Sequence, residues 1–172
     1  MKQPATQVHN RVLKLQIRYS SLMLILSLIM GLIYREFSRP FFEGLALVDQ
    51  LHYGHAMSIA HGHTFLLGAA IPLGMALMTF LLHSELSEAA TLTRMRRLFI
   101  AYIVSASANV ALIVYQGLSF IAGAGQPLDA IDAGLFFGSV MVRSSLYAIF
   151  HITFAVAVIW YAVIMFRAAK SS

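Results

Sequence analysis

The chain has 172 residues, of which 59% are hydrophobic and 11% are charged, with a formal net charge of +5 and no cysteine. Because soluble domains carry roughly 25% charged residues, this composition excludes most soluble classes and indicates a chain that lies in lipid. Without cysteine there are no disulfides, thiolate metal sites or cysteine nucleophiles, so any metal would be held by nitrogen or oxygen.

Four apolar stretches are long enough to cross a hydrocarbon layer of ~30 Å as helices of ~20 residues. We place them near 15–34, 57–82, 98–117 and 143–166. They lack the alternation of a membrane β-barrel, and the first lacks the cleavage pattern of a signal peptide. The sequence therefore predicts an all-α integral membrane protein with one domain, residues 1–172, folded as an up-down-up-down four-helix bundle.

The basic residues predict the orientation of these helices. With a cytoplasmic N-terminus, nine lie on the cytoplasmic side and three on the other. The nine are Lys2, Arg11, Lys14, Arg18, Arg94, Arg96, Arg97, Arg167 and Lys170, and the three are Arg35, Arg39 and Arg143. Both termini are therefore predicted to be cytoplasmic. No basic patch is interleaved with aromatic residues, so we expect no nucleic-acid partner.

The second predicted helix and the segment before it hold His52, His55, His61 and His63. Histidine is costly at membrane depth, so each is a candidate functional residue. At ~100° per residue, His61 and His63 point about 200° apart and cannot both bind one face of one cofactor. His52, His55 and His63 share one stripe if the helix begins near residue 48. That stripe predicts either a copper or zinc site or the wetted edge of an interfacial helix.

The third predicted helix carries Tyr102, Ser105, Asn109 and Gln116 on one side. Their spacing of three, four and seven residues places them on one helical face. This polar stripe is therefore predicted to face the interior of the bundle.

The fourth predicted helix contains His151, with Tyr147 and mostly small residues on the same face. The face of the second helix that carries His61 also carries Gly54, Ser58, Phe65, Gly68 and Pro72. The small residues around His61 and His151 fit either close helix packing or a slot for a flat macrocycle between two inward imidazoles. Counted from the cytoplasmic ends, His151 is offset by ~9 Å from His61 and by ~6 Å from His63. Helix tilt and a kink at Pro72 would absorb much of this offset.

Charged and polar residues also flank the predicted helices. Arg35 and Arg143 end the first and begin the fourth on the external side. Each is either an interface anchor or a partner for haem propionates, since the guanidinium fork suits carboxylates. His9 and His83 lie in the cytoplasmic flanks and are predicted to be solvated.

The segment Ala60-His61-Gly62-His63-Thr64-Phe65-Leu66-Leu67-Gly68, with Gly31-Leu32-Ile33-Tyr34-Arg35-Glu36-Phe37 and a lone histidine in the last helix, resembles an uncharacterised family of small four-helix bacterial membrane proteins. The His-x-His segment also resembles haem-ligating helices of subunit I in the haem-copper oxidase and nitric oxide reductase superfamily. That second resemblance implies His61 as an axial haem ligand and His63 as a second-centre or alternative ligand. The small-family pattern implies a bacterial inner membrane as the location and His151 as the opposing ligand. The chain has too few helices for an oxidase core.

These observations predict a multi-pass membrane protein that binds haem b through His151 and His61, with His63 as the substitute for His61. Arg35, Arg143, Tyr147 and Asn109 are the further candidate residues around the cofactor. Such a centre would serve electron transfer with a quinol or a redox protein, as in a membrane oxidoreductase, or binding of a diatomic gas. The alternative is a copper- or zinc-binding or oxidase-assembly protein without redox turnover. The oligomeric state, including a homo-oligomer, stays open.

Overall fold

The four apolar runs are helical, and each helix extends beyond the predicted run. The computed structural model describes residues 5–37, 44–86, 88–123, 126 and 128–170, and within them there is no strand. The helices are Ala5–Leu32 (α1), Leu47–His63 (α2), Ile71–Leu81 (α3), Ala89–Ala122 (α4), Leu128–Gly134 (α5) and Val140–Lys170 (α6). Three short turns adjoin them: two π-helical, Ile33–Phe37 and Thr64–Ala70, and one 3-10, Leu135–Gly138.

Four helical stretches are long and apolar enough to cross a membrane: Ala5–Glu36, Leu47–Leu81, Ala89–Ala122 and Val140–Lys170. The predicted all-α class and the four long apolar helices are therefore confirmed, and they indicate a multi-pass membrane protein. The predicted bounds are too short because they follow the apolar run alone. A helix continues into polar flanks wherever its backbone groups are still satisfied by hydrogen bonds. The first and second stretches begin furthest before their predicted runs, at Ala5 and Leu47.

Helix α1 packs along the second stretch, and α4 packs against α1, α2 and α6. Hydrogen bonds join α1 to the second stretch at three levels. The pairs are His9 with Thr79, Ser20 with Ala69, and Ser27 with His61. Helix α6 packs mainly on α4. These contacts make α4 the central helix and leave α6 at the side of the bundle.

The buried centre of the bundle is aromatic. The ring of Phe99 stacks on Tyr102 at 5.8 Å and meets the edge of the Tyr19 ring at 6.1 Å. Both α4 residues are fully buried. The hydroxyl of Tyr102 donates to the carbonyl of Leu67, so this centre also fixes the π-helical turn that follows α2.

A buried tyrosine connects α6 to the far side of the bundle. The side-chain amide of Gln16 donates to the hydroxyl of Tyr161 at 2.6 Å, and the hydroxyl of Thr79 is bonded to it as well. Tyr161 in turn donates to the carbonyl of Met75 at 3.3 Å. One side chain of α6 is therefore bonded to both α1 and α3.

Gly68 allows α1 to approach the second stretch closely. A Cβ atom at this position would lie 2.6 Å from the Cβ of Met23, which cannot move without a shift of α1. We therefore expect Gly68→Ala to lower the free energy of unfolding by about 1–3 kcal/mol, the usual cost of overpacking. Gly74→Ala is the matched control, because no atom lies within 4 Å of the added Cβ. Chemical unfolding in detergent checks both, and equal stabilities would contradict this packing.

Candidate functional site

The π-helical turn Thr64–Ala70 is explained by the proline that follows it. Pro72 has no N–H to donate to the carbonyl of Gly68, so the α-helical hydrogen-bond ladder is interrupted there. The N–H of Ile71 instead donates to the carbonyl of Leu66, five residues back. π-Helical turns of this kind occur often at functional sites. Here the turn begins directly after the histidines of α2.

The π-helical turn also alters the stripe predicted around His61. Gly68 and Pro72 of that stripe are buried, but Phe65 lies on the outer surface with 48% exposure. The prediction placed all three on one face because it used the α-helical period throughout. Where the sequence predicted a kink at Pro72, the structure has a π-helical turn directly before it.

A cavity of about 450 Å³ lies between α2, α4 and α6. Three histidines line it: His55 and His63 from α2, and His151 from α6. The other lining residues are Ala56, Ile59, Ile113, Gln116, Gly117, Phe120 and Tyr147. Its volume falls within the roughly 300–1,000 Å³ of small-molecule and cofactor sites. We refer to it as the histidine cavity.

His63 has its tautomer set by its own helix. Its Nδ1 lies 3.0 Å from the carbonyl oxygen of Ile59. A carbonyl oxygen only accepts hydrogen bonds, so Nδ1 carries the proton in this contact. In the neutral ring the lone pair is then on Nε2. Metal-ligating histidines often have this arrangement, in which the other ring nitrogen donates a hydrogen bond to a carbonyl.

His151 repeats this arrangement on α6. Its Nδ1 donates to the carbonyl oxygen of Tyr147 at 2.8 Å, again four residues back. The side-chain amide nitrogen of Asn109 lies 3.1 Å from Nδ1 and 3.2 Å from Nε2. Because Nδ1 carries the proton, Nε2 is the nitrogen that accepts from this amide. Two imidazoles from two different spans thus line one cavity, and each has Nε2 as its basic nitrogen.

Asn109 belongs to the predicted polar stripe of α4, and the structure confirms that this stripe faces inward. Tyr102, Ser105 and Asn109 are each at most 1% exposed. Gln116, which completes the stripe, lines the histidine cavity and accepts a hydrogen bond from Tyr147 at 3.2 Å. The Oδ1 of Asn109 is buried and has no hydrogen-bond partner among the described residues. An unmet acceptor therefore lies beside His151.

His61 is placed away from the histidine cavity. Its Nδ1 donates to the carbonyl oxygen of Ser27 on α1 at 2.8 Å. Its ring packs on Gly31, where an added Cβ would lie 3.0 Å from the ring carbon Cε1. The predicted divergence of His61 and His63 is confirmed, since they meet different neighbours. The structure does not bring His61 and His151 to one cavity, because the face of α2 that carries His61 packs on α1.

Two further histidines of α2, His52 and His55, are predicted to share a stripe with His63. His55 is exposed at the histidine cavity and shares that face of α2 with His63, as the predicted stripe requires. Helix α2 begins at Leu47 and is continuous through this stripe. The side chain of His52 lies outside the described residues. Among the residues that are described, no group of three or more histidines and carboxylates is placed to hold a metal ion.

The two arginines, each predicted to be an interface anchor or a partner for haem propionates, form ion pairs with carboxylates of the chain. Arg35 pairs with the adjacent Glu36 at 3.3 Å, and its side chain is 83% exposed. Arg143 pairs with Asp132 of α5. Neither is among the residues that line the histidine cavity. The sequence pattern could not predict the Asp132 partner because it depends on how α5 folds back beside α6. Arg143 is nevertheless one turn from Tyr147, which does line the cavity.

The prediction that His9 is solvated is wrong. His9 is 3% exposed, and its Nε2 donates to the carbonyl oxygen of Thr79 at 3.1 Å. Its ring lies 4.2 Å from that of His83, which is exposed. The error follows from the helix bounds, because α1 begins at Ala5 and carries His9 against α3. No apolar pattern at this polar flank signals the burial.

The histidine cavity combines imidazoles from two different spans with an apolar wall. His63 and His151 supply the nitrogens, and Ile59, Ile113 and Phe120 supply the apolar wall. In helical bundles, cofactor sites are built in this way from side chains on facing helices. Comparison of the chain with known protein families, curated proteins and solved structures found no match.

Proposed function

We propose that this protein is a membrane haem protein that holds a b-type haem in the histidine cavity between His63 and His151. The observation that carries the proposal is that these two imidazoles make equivalent hydrogen bonds. Each comes from a different span, each has Nδ1 bonded to the carbonyl four residues back, and both line one cavity. His63 thus takes the role that the sequence resemblance gave first to His61.

The cost of histidine in lipid supports the same proposal. His55 and His151 are exposed on a bundle whose outer surface is otherwise apolar around them, with Ile149 and Ile152 exposed by 57% and 64%. Imidazoles that met acyl chains here would lose hydrogen bonds at a cost in free energy. A group seated in the cavity would bind the Nε2 of His151 in place of the Asn109 amide and cover the gap between α2 and α6.

Two imidazole ligands give haem iron that suits electron transfer, with a potential set by the ligands and the surrounding dielectric. The residues of this chain would orient and shield the group. The carbonyls of Ile59 and Tyr147 fix the two rings, and the polar stripe of α4 supplies hydrogen bonds on one side. Electron transfer to a quinol or a redox protein, as in a membrane oxidoreductase, is the use we propose.

The orientation in the membrane is part of the proposal. We propose an up-down-up-down bundle with both termini in the cytoplasm of a bacterium and the histidine cavity in the periplasmic half. Contacts between successive spans support this order, because residue numbers rise along one span where they fall along the next. His9 with Thr79 and Asn109 with His151 are two of these contacts. The nine-to-three division of basic residues supports the cytoplasmic termini.

A copper or zinc site is the second candidate, favoured by one observation: His55 lines the same cavity as His63 and His151. A tetrahedral or trigonal site would use three such nitrogens. The absence of a preformed cluster of three ligands among the described residues weighs against it. A haem needs only two opposed rings.

The visible spectrum of the purified protein tests the proposal. The protein is expressed in cells supplied with iron, purified in a mild detergent, and recorded oxidised and then reduced. We expect a Soret band and separate α and β bands on reduction, as low-spin iron with two imidazoles gives. A colourless protein with stoichiometric copper or zinc would contradict the haem proposal and support the second candidate.

A further inference from the structure

A second cavity, of about 820 Å³, lies where the start of α4 meets α1. Four arginines line it: Arg11 from α1, and Arg94, Arg96 and Arg97 from α4. Of the described residues that line it, Glu88 is the one acid. We refer to it as the arginine groove. It shares no lining residue with the histidine cavity.

Three of the four arginines in the groove have no carboxylate partner among the described residues. These are Arg94, Arg96 and Arg97. The carboxylate of Glu88 accepts a hydrogen bond from Thr91 at 2.7 Å. Three guanidinium groups within four residues concentrate a positive potential. Their planar forks bind phosphate oxygens in pairs, so the groove fits a phosphate group.

The apolar surface beside the arginines favours a lipid as the source of that phosphate. Ile100 and Val104 follow Arg96 at intervals of four residues, so the three lie in one row along α4. Both are on the outer surface, with 41% and 60% exposure. A phospholipid presents a phosphate and an acyl chain in the same order. A free phosphate would use the arginines but leave the apolar row uncovered.

We propose that the arginine groove binds the phosphate of an anionic phospholipid, whose acyl chains lie along Ile100 and Val104. Anionic lipids attract clustered basic residues at the membrane surface by about 1 kcal/mol for each Lys or Arg. The groove adds a shaped receptor to this general attraction. The proposal does not depend on the haem, because it uses different residues and a different ligand.

Native mass spectrometry of the full chain in detergent tests the proposal with phosphatidylglycerol and phosphatidylcholine of identical acyl chains. We expect the first phosphatidylglycerol molecule to bind more tightly than phosphatidylcholine. The double variant Arg94→Gln with Arg97→Gln is expected to bind phosphatidylglycerol at least about tenfold more weakly. Its binding of phosphatidylcholine should be unchanged.

A charge-matched control distinguishes lipid binding in the groove from general attraction to the positive charge at this end of the protein. Lys14→Gln with Arg18→Gln removes two positive charges from α1, at exposed residues outside the groove lining. This variant should bind phosphatidylglycerol within about twofold of the unchanged protein, since neither side chain lines the groove and exposed charges are screened by salt. An equal loss in both double variants would overturn the proposal.

Two further results would also overturn it. Inorganic phosphate in excess should not displace phosphatidylglycerol, and displacement would show that the groove takes free phosphate. If the glutamine variant does not fold, Arg94→Lys with Arg97→Lys keeps the charge and removes the paired donors. We expect about threefold weaker binding from that variant, and unchanged binding would contradict the proposed phosphate receptor.

Discussion

Replacing His151 with alanine is expected to lower the haem-to-protein ratio of the purified protein at least about tenfold, because outer hydrogen-bond partners of a metal ligand alone are worth 10–100-fold in affinity. His63→Ala should have the same effect, since the two rings line one cavity from opposite spans. Haem content by absorbance and protein by amino-acid analysis give the ratio directly.

His61→Ala is the matched control for this prediction. It removes the same side chain two residues away on the same helix, but that ring is bonded to Ser27 and packs on Gly31. The variant should keep most of its haem and lose some stability where α1 meets α2. Haem loss in His61→Ala with retention in His63→Ala would contradict the assignment and restore the ligand pair that the sequence resemblance implied.

The second large effect concerns Tyr161, the buried side chain that joins α6 to α1 and α3. Tyr161→Ala is expected to lower the free energy of unfolding by about 3–5 kcal/mol, the usual cost of truncating a buried aromatic ring. It also leaves Gln16 and Thr79 without their shared hydroxyl partner. Unfolding in mixed detergent micelles, followed by circular dichroism, measures the change.

Two neighbouring variants divide this effect into its parts. Tyr161→Phe removes only the hydroxyl and should cost about 1–3 kcal/mol, because buried hydrogen-bonding groups are left unsatisfied. Trp160→Ala truncates a larger ring, but Trp160 is 49% exposed on the outer surface. It should change stability by no more than about 0.5 kcal/mol. A larger loss for Trp160→Ala than for Tyr161→Ala would show that α6 does not pack as described.

The helical class could be predicted because lipid restricts what a sequence can form. A backbone in hydrocarbon must satisfy its own hydrogen bonds, so long apolar runs become helices. The angle between His61 and His63 could be predicted for the same reason, since both lie in the regular helix α2. The inward stripe of Tyr102, Ser105 and Asn109 follows from the same periodicity.

The partner of each histidine could not be predicted in this way. Periodicity gives the angle between side chains on one helix but not the rotation of that helix against its neighbours. Gly31 lets the ring of His61 pack on α1, and this contact turns His63 toward α6. The predicted depth offset did favour His63, at ~6 Å against ~9 Å for His61. The contact of Arg143 with Asp132 depends on a short helix that has no clear pattern.

An anomalous difference map recorded at the iron absorption edge, from crystals of the protein, shows whether iron lies in the histidine cavity. We expect one iron peak between α2 and α6, flanked by the Nε2 atoms of His63 and His151. A peak beside His61, a peak only at the copper or zinc edge, or no peak in the histidine cavity would contradict it.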